Sequence, residues 1–369
     1  MQLSFLCSIA SCPALLCLAS AAMAHAAPPV EKTAVVAAPA AAVEFGTPIA
    51  TRYRVGAKLV GSGGTVENIR MTVAVPLECA EQQVEILEED YSPEVENVEF
   101  RQTDEGVRQM LIYVPVLSPR QDAHAMVTYE VRTSPILPPA ETESLVAPKK
   151  ADRKLKRYLS SSPYIDVNNR KIRAAVREAL AAATDDSGEA EPQDSDETAT
   201  AEIESLKPQA APIKTEQPAA ADVAPLSDWR RVEKLYDYAI EHVKYEEGAD
   251  KSAIQVLADG KGDCQAIAAL FVAMCRTEKV PARMVWVDGH QYAEFYLEDA
   301  AGAGRWFPVE SAGRREFGEM SIARVILQKG DNFSVPERPR ERLRYATDYT
   351  MLLSKPGRQP KITYVREQL

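Results

Sequence analysis

A chain of 369 residues is long enough for two domains, and its 46% hydrophobic and 26% charged content excludes both a membrane protein and a fully disordered one. Only four histidines and six cysteines occur, with no Cys-x-x-Cys or His-x-x-x-His pair, so no metal centre and no cofactor is expected. The formal charge of −11 argues against nucleic acid as a partner.

Residues 1–26 read as a secretory signal peptide. The apolar run Leu3 to Ala22 ends in small-residue cleavage patterns, Ala22-Met23-Ala24 or Ala24-His25-Ala26. No Lys or Arg precedes the run, which leaves an uncleaved membrane anchor as the alternative. Cleavage implies an exported protein, periplasmic or extracellular, with no stable membrane insertion. It would also leave three cysteines, Cys79, Cys264 and Cys275, too few and too odd for a disulfide framework. Cys264 and Cys275 fall eleven residues apart on one predicted helix. At 1.5 Å per residue that is roughly 16 Å, beyond disulfide reach. At least one thiol therefore stays free in an oxidising compartment, which favours a use for it.

Residues 27–43, rich in Ala, Pro and Val, read as a flexible tether. Over 44–135 the pattern has period two, as in Ile69, Met71, Val73 and Val75, or Val127, Tyr129 and Val131. Turns such as Gly61-Ser62-Gly63-Gly64 separate the runs, which predicts an all-β sandwich-like domain with a support or binding role. Residues 136–183 are a connection. Its basic segment Lys149 to Arg157 reads as solvated charge, and Ile172, Val176 and Leu180 mark an amphipathic helix over Asn169–Ala183. Residues 184–225 hold eleven Asp or Glu against two Lys, with five prolines and no aromatic residue. Such a stretch cannot bury enough apolar surface to order itself, so it reads as a disordered acidic insertion, with partner docking as the alternative. Ser227 then caps a helix whose core residues include Trp229, Val232, Leu235, Tyr236 and Val243.

Candidate chemistry sits between Gly260 and Ser311, inside a core spanning 226–330. A thiol attacks as thiolate, and a helix N-terminus favours that form through its unpaired amides and dipole. Cys264 opens a helical run after Gly260, Gly262 and the potential N-cap Asp263, with its own N–H free to face an oxyanion. His290 starts an alternating strand in which His290, Tyr292, Glu294 and Tyr296 share one face and Gln291, Ala293, Phe295 and Leu297 the other. It could take the thiol proton. Glu310 follows the short strand Arg305 to Val309 and could hold the imidazole, as the third member of a triad does. Tyr245 and Trp229 are possible further oxyanion partners, each more simply explained by packing.

These residues carry a resemblance. Gly262 with Cys264, the turn Pro281, Ala282, Arg283, the set His290, Tyr292, Glu294, and Glu310 after Trp306 and Pro308 resemble the core of the transglutaminase-like superfamily over about residues 228–313. Tyr292 stands where Trp is commoner in the family, and Glu310 where Asp is usual. The resemblance implies an α+β fold, a papain-like core with the Cys helix packed on an antiparallel sheet, here preceded by the β-sandwich-like domain. It implies a cysteine-dependent acyl-transfer enzyme acting on peptide or protein amides through a thioester, with Cys264, His290 and Glu310 as catalytic residues. Whether water or an amine resolves the thioester stays open, and bacterial members are often hydrolases. The competing reading is a non-catalytic envelope scaffold or binding protein on the same fold. Residues 331–369 form a basic C-terminal extension with few periodic signals and no assigned role, and the oligomeric state is not legible.

Overall fold

The computed structural model describes residues 43–104, 106–181, 226–346, 348–352 and 359–369. The expected signal peptide 1–26, all but the last residue of the tether 27–43, and the acidic insertion 184–225 lie outside the described residues. All of the described residues fall within one compact unit.

The first half is strands only: β1 (Ile49–Val60), β2 (Val66–Ala74), β3 (Gln82–Tyr91), β4 (Asn97–Asp104), β5 (Val107–Leu117) and β6 (Asp122–Thr133). Short α1 (Arg153–Lys156) and α2 (Arg170–Ala181) follow, then α3 (Asp228–His242), β7 (Lys244–Tyr245), α4 (Ala253–Asp259) and β8 (Lys261–Gly262). The remainder is α5 (Cys264–Thr277), β9 (Ala282–Val287), β10 (His290–Glu298), β11 (Gly304–Val309), β12 (Ile326–Lys329), β13 (Tyr349–Leu352) and β14 (Lys361–Gln368).

Alternation in the first half buries one face of each strand, because successive side chains leave a strand on opposite sides. Tyr53, Val55, Ala57 and Leu59 of β1 meet Ile69, Met71 and Val73 of β2 and Val127, Tyr129 and Val131 of β6 in one buried cluster. Each such apolar side chain is worth about 1.5–3 kcal/mol when fully buried. Gly56 sits at the β1–β6 pairing, where a Cβ would lie 2.1 Å from the Ala125 carbonyl oxygen. Only glycine fits there.

Two antiparallel sheets enclose that cluster. The smaller has the order β14-β1-β6-β3. The larger runs β11-β10-β9-β12-β5-β2-β13, with β4 added on β5. It therefore passes without a break from the β-rich region into the region that carries the Cys, His and Glu motifs. β12 makes the join, pairing Gln328 with both Trp286 of β9 and Val107 of β5. The C-terminal extension, which the sequence leaves without a role, supplies β13 beside β2 and β14 along Tyr53–Val60 of β1.

The helices are capped as their sequences suggest. The Ser227 hydroxyl accepts from the Arg230 N–H, and Ser252 and Gln255 form a capping box on α4. α4 ends on Gly260 at φ 63, the left-handed geometry that glycine adopts without strain. α5 carries four Ala among mostly apolar residues and is buried along its whole length, as its all-round apolar surface requires. α2, α3 and α4 pack against it, as do β9 and β10. Trp229 of α3 lies among Phe295, Phe307 and Phe317 with ring centroids 4.9–5.5 Å away, so it serves the core.

Candidate active site

Cys264 is the first residue of α5, and the Asp263 carboxylate caps the helix by accepting from the Ala266 N–H. The first N–H groups of a helix have no partner within it, so the Cys264 amide and the helix dipole face outward beside the thiol. Gly262 lets β8 approach this point. A Cβ there would meet the Ala266 Cβ at 2.7 Å and Val256 Cγ2 at 2.8 Å.

The sheet brings the other two residues to the same place. β9 turns into β10 through Asp288 and Gly289, the latter at φ 68, and His290 pairs with Val287 on the way back. β11 runs antiparallel to β10 with Val309 opposite Ala293, so Glu310 emerges alongside the start of β10. Glu310 Oε1 lies 2.5 Å from His290 Nε2. Nδ1 is thus the ring nitrogen left for the thiol.

Glu310 is 4% exposed and fully engaged. Its Oε1 also accepts from the N–H groups of Ser311 (2.8 Å) and Ala312 (3.3 Å), and its Oε2 from Arg324 Nη1 (3.1 Å). Burial acts to raise this carboxyl, but His290, the Ala312 amide and Arg324 outweigh it and hold it below its ordinary value. His290 shows the reciprocal effect. Burial pulls the imidazole down, yet its interactions with Cys264 and Glu310 lift it to about 9. The imidazolium form is therefore the resting form at neutral pH. Cys264, His290 and Glu310 form one connected group.

Three further residues belong to it that the motifs do not single out. The Cys264 thiol donates to Gln291 Oε1 at 3.2 Å, Ser311 Oγ donates to the Gln291 carbonyl at 2.6 Å, and Arg324 holds Glu310 as above. Strict alternation puts Gln291 on the face opposite His290. From Tyr292 onward that alternation holds, with Tyr292 in one cluster and Ala293, Phe295 and Leu297 in another. At the strand start, both His290 and Gln291 act on the thiol. Arg324 comes from an irregular segment, where a lone arginine carries no sequence signal.

Glu294, quoted with the histidine motif, has a different occupation. It is 1% exposed and accepts from Arg283 Nε (2.7 Å) and Lys329 Nζ (2.6 Å), while Lys329 also binds Glu81 of the β-rich region. Arg283 lies over the Trp306 ring, 4.0 Å from its centroid. The Arg, Glu and Trp of the motif thus build a buried ionic joint. Tyr245 pairs with Gly262 on the approach to Cys264 and is half exposed. Cys79 and Cys275 are free thiols that burial raises, Cys79 to about 12.

Next to the group opens a cleft of about 400 Å³, with Asp263, Gln265 and Gln291 on the thiol side and Trp286 and Arg344 further along. No group of three or more His, Cys, Asp or Glu placed to hold a metal occurs among the described residues. No described helix is long and apolar enough to cross a membrane.

A thiol at a helix start, an imidazole on the adjoining strand and a carboxylate behind it define a cysteine-enzyme type of site on an α+β fold. Residues 217–311, which contain all three, match the transglutaminase-like superfamily. That segment of the chain is similar to the superfamily's core domain. It is also similar to a solved structure described as a candidate cysteine protease from Cytophaga hutchinsonii, at 13% identity and a TM-score of 0.49 over 88% of this chain and 93% of that one. No curated protein matches the chain.

Proposed function

We propose that this protein is an exported cysteine-dependent acyl-transfer enzyme acting on peptide or protein amides through a thioester. The observation that carries the reading is His290, engaged by Glu310 at Nε2 and raised to about 9 by Cys264 and Glu310 together. A buried imidazole in a non-catalytic scaffold has no need of that arrangement. In the reacting form the Cys264 proton is already on His290 Nδ1, and the thiolate sulfur bonds to the amide carbon as the carbonyl electron pair moves onto oxygen. The Cys264 N–H donates to that oxygen. Collapse breaks the carbon–nitrogen bond, the leaving nitrogen takes the proton from Nδ1, and the acyl group remains on Sγ as a thioester. Water or an amine then attacks the acyl carbon and gives a proton to the now neutral His290, and the carbon–sulfur bond breaks to return Sγ as thiolate beside the imidazolium. Glu310 keeps the ring oriented and its charge balanced throughout.

The test is Cys264→Ala, expected to abolish both amide turnover and covalent capture of a thiol-reactive peptide analogue. Turnover surviving in that variant would remove Cys264 as the nucleophile, and wild type without turnover or capture would leave the scaffold reading in its place.

A further inference from the structure

Ten buried side-chain nitrogen or oxygen atoms among the described residues have no hydrogen-bond partner, and six of them belong to residues lining the cleft beside Cys264. They are Gln265 Nε2 and Oε1, Trp286 Nε1, Arg344 Nε and Nη1, and Arg366 Nε. A buried polar group left unmet costs about 1–3 kcal/mol, so such a concentration along one cleft points to polar partners entering from it. Gln265 is 2% and Arg344 6% exposed. Arg344 is also fixed in place. Its Nη2 donates to Asp250 at 2.8 Å, and its guanidinium lies 4.3 Å from the Tyr164 ring centroid and 5.3 Å from that of Trp286.

Five of the six atoms are N–H donors, so the cleft calls for oxygen acceptors. Its charge does not call for an anion: Arg344 and Arg366 face Asp250, Asp263 and Asp288 along the same lining. Donors in excess without net positive charge suit neutral carbonyl oxygens. We infer that this cleft takes main-chain carbonyls of a polypeptide continuing beyond the scissile amide, with Trp286 and Arg344 as donors. The substrate is then an interior stretch of chain rather than an end bearing a free carboxylate. This rests on the reading of Cys264 as nucleophile.

The probes are N-iodoacetyl-Ala-Ala as the free acid and as its N-methylamide. Both alkylate Cys264, with rates read by peptide mass and divided by the iodoacetamide rate on the same variant. The methylamide is expected to react faster than the acid by about fivefold or more, the worth of one good hydrogen bond. Trp286→Phe, which keeps the ring, and Arg344→Met should each bring that ratio back toward one. An acid that reacts faster, or a ratio indifferent to both variants, overturns the inference. Failure of the nucleophile reading shows separately, as iodoacetamide rates that do not differ between wild type and His290→Ala.

Discussion

Glu310→Gln removes the negative charge beside His290 while keeping the shape of the side chain. Two partners raise the imidazole to about 9 against the pull of burial. Without the carboxylate, Cys264 alone opposes burial, and the imidazole should fall back toward the ordinary 6.5. A full return corresponds to roughly 3 kcal/mol of lost preference for the imidazolium. The assay is an NMR titration of ring-labelled histidine, with His290→Ala assigning the resonance. Wild-type His290 should keep its proton well past pH 8, and the variant should release it at least one unit lower. Arg324→Met separates geometry from charge, since it frees Glu310 Oε2 but leaves the Oε1 contact. A wild-type His290 that titrates near 6.5, or an unaltered titration in Glu310→Gln, refutes the account of how this site holds its proton.

Two further outcomes follow from the same contacts. His290 has a raised folded-state value, so it contributes stability that is complete below about 6.5 and lost as pH rises through about 9. Urea unfolding should therefore show wild type losing stability across that window relative to His290→Ala, and a constant difference between the two contradicts the linkage. Glu294→Gln leaves the buried Arg283 cation without its carboxylate and Lys329 with Glu81 alone, and should cost about 3–5 kcal/mol in denaturant unfolding. In the folded fraction, the pH profile of Cys264 alkylation should keep its wild-type form. A shifted profile would give Glu294 a part in the chemistry.

Local signals were the legible ones. Asp263 and Ser227 carry their cap roles in a few adjacent letters, and the alternation of β1, β2 and β6 follows directly from which face is buried. Cys264, His290 and Glu310 stood out because ordered motifs surround them, although what brings them together is the β9–β10–β11 register. Features built by distant chain segments were not legible. The join through β12, the pairing of β14 with β1 and the Arg324 contact each depend on residues with no local pattern. Gln291 was hidden for another reason: strict period two assigns it to the face away from His290, and at the first residues of β10 that rule gives way. The same holds for Arg344, whose meaning lies in the Asp250 and aromatic side chains that the fold gathers around it.

The central claim is that the helix-start thiol and His290 work as a pair, and alkylation of Cys264 by iodoacetamide against pH tests it most directly. Cys79 and Cys275, both raised by burial, provide internal comparison thiols in the same digest. Wild type should label at Cys264 well below pH 7, and His290→Ala should lose that low-pH labelling. If Cys264 labels with the same pH dependence in both proteins, thiol and imidazole act separately, and the acyl-transfer account fails.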